Sequence, residues 1–285
     1  MNKKPAVDVS YFPGCSLAST ATENNLSLVN LFNRLGINLV ELDDWSCCGS
    51  SSAHCINSDL AFDLATRNIS LAPPGRPLAI ACPSCLLRLR EAQHHMQNDE
   101  KARIRYEETW GRPFDPKLKI QHYFELLDKK NLVSFSKDQI QKLKGLKFVT
   151  YYGCMLARPP SLPRDTKYHG LMERILSSLG ATPLPWAYTS QCCGTFLSVA
   201  RPDIVTPLVN KIIRGAQDAG ADFIITACAM CHLNLEVRPT VKPTVPTLHF
   251  TEIFSLALGT DDYKQWFSKH LVDPRPLLKA KGLIN

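Results

Sequence analysis

The chain has 285 residues, about two domains' worth, with 45% apolar and 21% charged residues, which excludes a disordered or collagen-like polymer. No apolar run approaches the roughly 18 residues of a membrane span, and the opening MNKKPAVDVSYFPGC lacks the apolar core of a secretory leader, so a cytoplasmic protein with no membrane contact is expected. The formal charge of +7 is spread along the chain without interleaved aromatics, so nucleic acid is not an expected partner.

In chain order, a strand-like VDVS leads into 11-YFPGC-15. An amphipathic helical pattern follows, with Leu26, Val29, Leu31, Phe32 and Leu35 before Gly36, where glycine suits a left-handed helix cap. A short extended stretch reaches 46-SCCGS-50, and a second helical stretch reaches the apolar strand and paired thiols of 78-LAIACPSC-85. A polar helix with His94 and His95 comes next, and 122-HYFELL-127 closes the series. After a Lys-rich stretch the order begins again. It runs 146-LKFVT-150, 151-YYGC-154, a helix with Leu171, Ile175, Leu176 and Leu179 before Gly180, then 191-QCCGT-195, 222-DFIITACAMC-231 and 249-HFTEIF-254.

The recurrence of five cysteines at nearly constant offset divides the chain into a first repeat over 1–135, a linker over 136–145, a second repeat over 146–259 and a C-terminal extension over 260–285. Strands alternating with helices predict an α/β fold of two pseudo-symmetric repeats, each a small, mainly parallel sheet with helices. Ligands on such sheets gather at the carboxyl ends of the strands, so each set of cysteines should converge on one sheet edge, near the interface of the repeats.

Eleven cysteines are too few for a disulfide scaffold and too clustered for chance; in a reducing compartment they point to metal binding or redox chemistry. Each repeat supplies five: Cys15, Cys47, Cys48, Cys82 and Cys85, then Cys154, Cys192, Cys193, Cys228 and Cys231. A tetrahedral zinc site would leave one thiol over in each repeat. A polynuclear iron–sulfur group accepts thiolates from several directions, and an extra thiolate can bridge irons. The tight C-x2-C-x2-C-x3-C-P run of common ferredoxins is absent, as are G-x-G-x-x-G and P-loop signatures, so no flavin or nucleotide site is expected on this chain.

The pattern C-x31-CCG-x32-C-x2-C followed by C-x37-CCG-x33-C-x2-C resembles the duplicated cysteine-rich CCG domain family, in the form carried by the B-type chains of heterodisulfide reductases. The resemblance implies two noncubane [4Fe–4S] clusters, one per repeat, each held by the five cysteines of that repeat. It also implies a disulfide or thiol substrate between them, a partner subunit with cubane iron–sulfur clusters and, further on, a flavin subunit. CCG domains also serve as electron relays in quinone-linked and hydroxyacid-oxidising dehydrogenases; Pro274 and Pro276 interrupt any anchoring helix in the tail.

Four further features need a reading. Cys55 has no counterpart in the second repeat, where Ala200 stands, and is expected to be a buried, inert thiol. His54, five residues past the first CCG, is either a structural histidine bonded to a nearby carbonyl or a proton donor to a departing thiolate. His122 and His249 recur at matching places, which suggests a shared structural bond. Trp45 and Trp186 precede the CCG pairs and are expected to pack in the core or wall the site.

Overall fold

The computed structural model describes residues 7–128, 137–161 and 168–285. Two four-stranded sheets are present, every pairing in them parallel. The first has the order β2-β1-β3-β4, from β1 (Val7–Phe12), β2 (Ile37–Glu41), β3 (Leu78–Ile80) and β4 (Ile120–His122). The second has the order β6-β5-β7-β8, from β5 (Lys147–Tyr151), β6 (Thr182–Pro183), β7 (Phe223–Thr226) and β8 (Thr247–His249). The central strands β3 and β7 are buried at every position, as strands covered on both faces must be. β6 is a two-residue edge strand, the place where a proline such as Pro183 is tolerated.

The strand order places the sites. In each sheet the chain leaves the central strand, builds an edge, and returns on the other side, so the first and third strands flank the point where the winding reverses. Because all strands run one way, their carboxyl ends share one edge. Cys15 follows β1, the Cys47–Cys48 pair follows β2, and Cys82 follows β3. The second sheet repeats this with Cys154, Cys192–Cys193 and Cys228 after β5, β6 and β7. Register ties the arrangement together: Phe12 pairs with Ile80 and Tyr151 with Thr226, so each first cysteine emerges beside its C-x2-C.

Helices fill the connections. Pro83 and Pro202 occupy first turns, where no backbone N–H is missed. The Glu100–Trp110 helix is capped by Asp99, whose Oδ1 accepts from Lys101 N at 2.9 Å, and it ends at Gly111 with φ 62. Among the described residues this helix has no counterpart in the second half, and the three-residue strands β4 and β8 are too short to show periodicity in sequence.

The compact units do not follow the repeat boundaries. One comprises Met1–Ser19, Phe32–Leu132 and Pro159–Pro163; the other comprises Thr20–Leu31, Val133–Arg158 and Arg164–Asn285. Most of the Thr22–Arg34 helix therefore packs with the second unit, where Ser27 Oγ lies 2.6 Å from Thr251 Oγ1. Within 136–145, position 136 lies outside the described residues. In the rest, Leu143 is fully buried and its N–H donates to Leu179 O at 2.9 Å. The 260–285 extension joins the same unit, burying Trp266, Phe267 and Leu278.

Candidate metal centres

Each five-cysteine set is assembled at one sheet edge. In the first unit Cys48 Sγ lies 3.0 Å from Cys85 Sγ, and Cys47 Sγ lies 3.8 Å from Cys15 Sγ. In the second, Cys193 Sγ lies 3.7 Å from Cys231 Sγ. These separations are far beyond the roughly 2.05 Å of a disulfide bond, and all eleven thiols are free. Cys48, Cys82 and Cys85 are buried, while Cys15 and Cys47 are exposed; Cys193, Cys228 and Cys231 are buried, while Cys192 is exposed and Cys154 half-buried. Each set thus has a buried floor of three thiols and a rim of two.

Three local devices prepare these thiols for metal. The C-x2-C pairs sit at helix N-termini: Cys82 is the N-cap residue of the Pro83–Asn98 helix and Cys228 that of the Ala229–Val237 helix, where first-turn N–H groups face the site. The N–H groups of Gly49 and Gly194 point at Cys47 Sγ and Cys192 Sγ, at 3.4 and 3.3 Å. The backbone must also pass close to sulfur. Gly14 has φ +78, and a Cβ there would stand 3.0 Å from Cys85 Sγ; at Gly153, with φ +71, it would stand 3.2 Å from Cys231 Sγ.

Electrostatics separate the thiols within each set. A hydrogen bond from the Cys154 thiol and the N–H of Gly194, helped by Arg158, hold Cys192 down at about 6 against the opposing effect of burial. A bond from Cys85 and the first-turn N–H groups bring Cys82 to about 7 although it is buried. Cys85 and Cys231 are pushed far up, first by hydrogen bonding with the neighbouring thiols, Cys48 and Cys82 for one and Cys193 and Cys228 for the other, and then by burial. Five thiols this close cannot all ionise unless a cation is shared among them. The donor chemistry therefore fits thiolate-bound metal, and the residues that would hold it are Cys15, Cys47, Cys48, Cys82 and Cys85 in the first unit and Cys154, Cys192, Cys193, Cys228 and Cys231 in the second.

Sequence reading missed the residues that pin the CCG loops. Asn68 holds the first: its Oδ1 accepts from Ser46 N at 2.9 Å and its Nδ2 donates to Ser46 O at 3.0 Å. Asn234 holds the second, donating to Cys193 O at 2.8 Å while accepting from Ser198 Oγ at 2.6 Å. Tyr151, buried under the second set, donates its hydroxyl to Gln191 O; burial first, and then the surrounding thiols, drive its ionisation far out of reach. Trp45 lies edge-on to Phe12 at 5.3 Å, and Trp186 lies edge-on to Tyr151 at 6.3 Å with its Nε1 donating to Thr150 O, so both wall their sites as packing residues.

Cys55 requires a correction: it is exposed, on the short Ala53–Ile56 helix, because only Ala53 of that turn faces inward. His54 lies on the same turn and is exposed. His249 makes the expected structural bond, its Nδ1 lying 2.7 Å from Thr251 Oγ1 at a capping box closed by Glu252. At the matching place His122 Nδ1 accepts from Phe124 N at 3.4 Å, and its own backbone N–H donates to Glu125 at 2.9 Å.

The fold and the paired cysteine sets define a duplicated cysteine-rich protein, and the sequence comparison makes this specific. The chain belongs to the CCG cysteine-rich domain family, whose profile matches residues 9–90 and 148–236, more than half of its length. It is 27% identical, over 95% of its own length and 99% of the relative's, to the 8-methylmenaquinol:fumarate reductase membrane anchor subunit of Wolinella succinogenes. It is also 26% identical, over 90% of this chain and 93% of the relative, to a protein of Archaeoglobus profundus named as like the B-type chain of heterodisulfide reductase. A crystal structure of a hypothetical protein from Helicobacter pylori shares the fold at a TM-score of 0.73 and 13% identity, covering 95% of this chain and 53% of that one. Among the described residues no helix is long and apolar enough to cross a membrane.

Proposed function

We propose that this chain is the iron–sulfur subunit of a cytoplasmic, heterodisulfide-reductase-like complex, with one noncubane [4Fe–4S] cluster in each five-cysteine set and a disulfide–thiol couple as its substrate. The observation that carries this reading is the division of each set into three buried thiols and a two-thiol rim open to solvent. A closed relay centre has no need of an open rim, whereas a sulfur substrate must approach one. When bound, the clusters supply one-electron redox chemistry.

Reducing a disulfide to two thiols takes two electrons and two protons, and two matched sites on one chain meet the electron count without releasing a lone thiyl radical. The electrons come from a partner subunit with cubane clusters, fed in turn by a flavin subunit. The chain's own residues hold the thiolates, shield the buried face and deliver protons. His54, exposed five residues after the first CCG, is the proposed donor on that side.

A second reading is favoured by the relative from Wolinella, whose name places it in a quinol:fumarate reductase. On that reading the same two sites pass electrons between a membrane quinol and a partner dehydrogenase, with no sulfur substrate. Anaerobic purification, metal counting and EPR with and without added thiol separate the two. About eight irons per chain and a thiol-dependent spectrum support the disulfide reading. Full iron with a spectrum indifferent to thiol favours the relay, and zinc without iron overturns both. In the assembled complex, Cys48→Ala and Cys193→Ala should each abolish disulfide turnover; full turnover with one cluster lost would rule out paired one-electron steps.

A further inference from the structure

We propose that His270, supplied by the C-terminal extension, is the positioning residue of the second cysteine set, clamping the helix that begins at Cys228 to the helix that follows β8. The proposal rests on the reading of the two sets as cluster sites.

His270 lies between two carboxylates on opposite sides of its ring. Its Nδ1 is 3.0 Å from Glu236 Oε1, on the Ala229–Val237 helix, and its Nε2 is 3.0 Å from Glu252 Oε1, on the Phe250–Ala257 helix. All three side chains are essentially buried. Neither carboxylate is free to turn away. Glu236 Oε2 accepts from Leu271 N at 2.9 Å, and Glu252 Oε2 accepts from His249 N at 2.7 Å. With both ring nitrogens facing acceptors, the ring must carry both protons. Burial alone would lower its pKa, but Glu252 and Glu236 outweigh burial and hold it at about 10.

The clamp grips the C-x2-C from both sides. His232, immediately after Cys231, lies 4.7 Å from the His270 ring, with its Nδ1 3.0 Å from Asn24 Oδ1 and its Nε2 3.3 Å from Glu236 Oε1. His249, buried and held neutral mainly by burial, bonds to the backbone of Ala227, immediately before Cys228. The remaining neighbours are Glu23, raised by burial, the Phe267 ring at 5.7 Å and the nearby carboxylate of Asp273.

The first unit does the same job with one residue. Arg90, five residues after Cys85 as Glu236 is five after Cys231, donates Nη2 to Glu125 Oε1 at 2.7 Å and Nε to Ile120 O at 3.0 Å. Glu125 caps its helix as Glu252 does. The second unit has an acid at Arg90's position, so the bridging cation arrives from the extension.

The test uses the full chain as wild type, His270→Gln and His270→Arg, the last restoring a forked cation like Arg90. In metal-free protein at neutral pH, alkylation of individual cysteines is followed by mass spectrometry. In His270→Gln, Cys228 and Cys231 should react about tenfold faster while Cys82 and Cys85 are unchanged, reflecting local opening of one helix. His270→Arg should recover most of the protection. In metal-loaded protein, the EPR signal and reduction potential of one cluster should shift and the other hold; loss of stability alone would not produce that split. Equal changes in both sets, or none, overturn the proposal. So does one tightly bound zinc per wild-type chain that is missing from His270→Gln, which would make His270, His232 and Glu252 a metal site instead of a clamp. Wild type without iron would defeat the cluster reading, and alkylation would still decide whether His270 positions Cys228 and Cys231.

Discussion

The two cysteine sets share a backbone and differ in what pins it. In the first, Asn68 reaches from the Ser58–Ser70 helix and grips Ser46, one residue before the CCG. In the second, Asn234 reaches from the C-x2-C helix and grips Cys193 itself, while Ser198 donates to Asn234 and Arg238 in turn donates to Ser198. The position of Asn234 in the first unit is occupied by Arg88, which pairs with Glu91 at 2.8 Å. One mechanical requirement, a fixed CCG loop, has two solutions on different helices. The metal-facing geometry is tightly constrained, while its support can come from any neighbour with a side chain of the right length.

Removing the pins should have the largest effects. Asn68→Leu leaves both the N–H and the carbonyl of Ser46 without their partner, a cost of about 2–4 kcal/mol. The first set should lose its metal while the second keeps it, as read by iron content and the denaturant midpoint. Asn234→Leu should do the reverse, and loss of both metals in either variant would break the comparison. Next come the close approaches. Gly14→Ala and Gly153→Ala each force a Cβ into left-handed backbone, costing about 1–2 kcal/mol. Gly14→Ala should be worse, because its Cβ meets Cys85 Sγ at 3.0 Å against 3.2 Å for Gly153 and Cys231.

Alkaline pH should sharpen the contrast further. His270 is raised to about 10, so its contribution is complete below its ordinary value near 6.5 and is lost as pH rises through about 10. The corresponding bridge in the first unit contains no imidazole, being made by Arg90 and Glu125. The second unit should therefore melt on the order of 4 °C lower near pH 10 than at neutral pH, while the first holds. At the acid end Glu236, held at about 2, contributes fully above about 4.5 and loses that contribution as pH falls towards 2. The smallest effect belongs to Cys55→Ser, on an exposed turn outside both sets: under about 0.5 kcal/mol, with metal content unchanged.

Much of this was legible in the sequence because cysteine and glycine are scarce and their spacing is informative. The repeat, the parallel α/β layers and the elements that bring each set together all follow from where YFPGC, YYGC, the CCGs and the C-x2-C pairs stand relative to apolar runs. Asn68 and Asn234 were not legible, because asparagine is common and their partners are backbone groups 22 and 41 residues away. The role of the extension was not legible for a related reason. Its prolines showed only that no continuous anchoring helix forms, and packing alone shows Trp266 and Phe267 buried and His270 bridging two acids. The burial of Cys55 was inferred from the habits of free cysteines, which an exposed single-turn helix overrides.

The passage of Thr20–Leu31 into the second unit bears on how such a chain can evolve. Duplication creates two interchangeable copies, each able to stand without the other. Here the downstream copy has come to use Ser27 and Asn24, which lie upstream, to satisfy Thr251 and His232. A gene cut between the repeats would yield a downstream product short of part of its own interior. The boundary between the repeats in sequence is therefore not a boundary at which the chain can be divided without loss to the second unit.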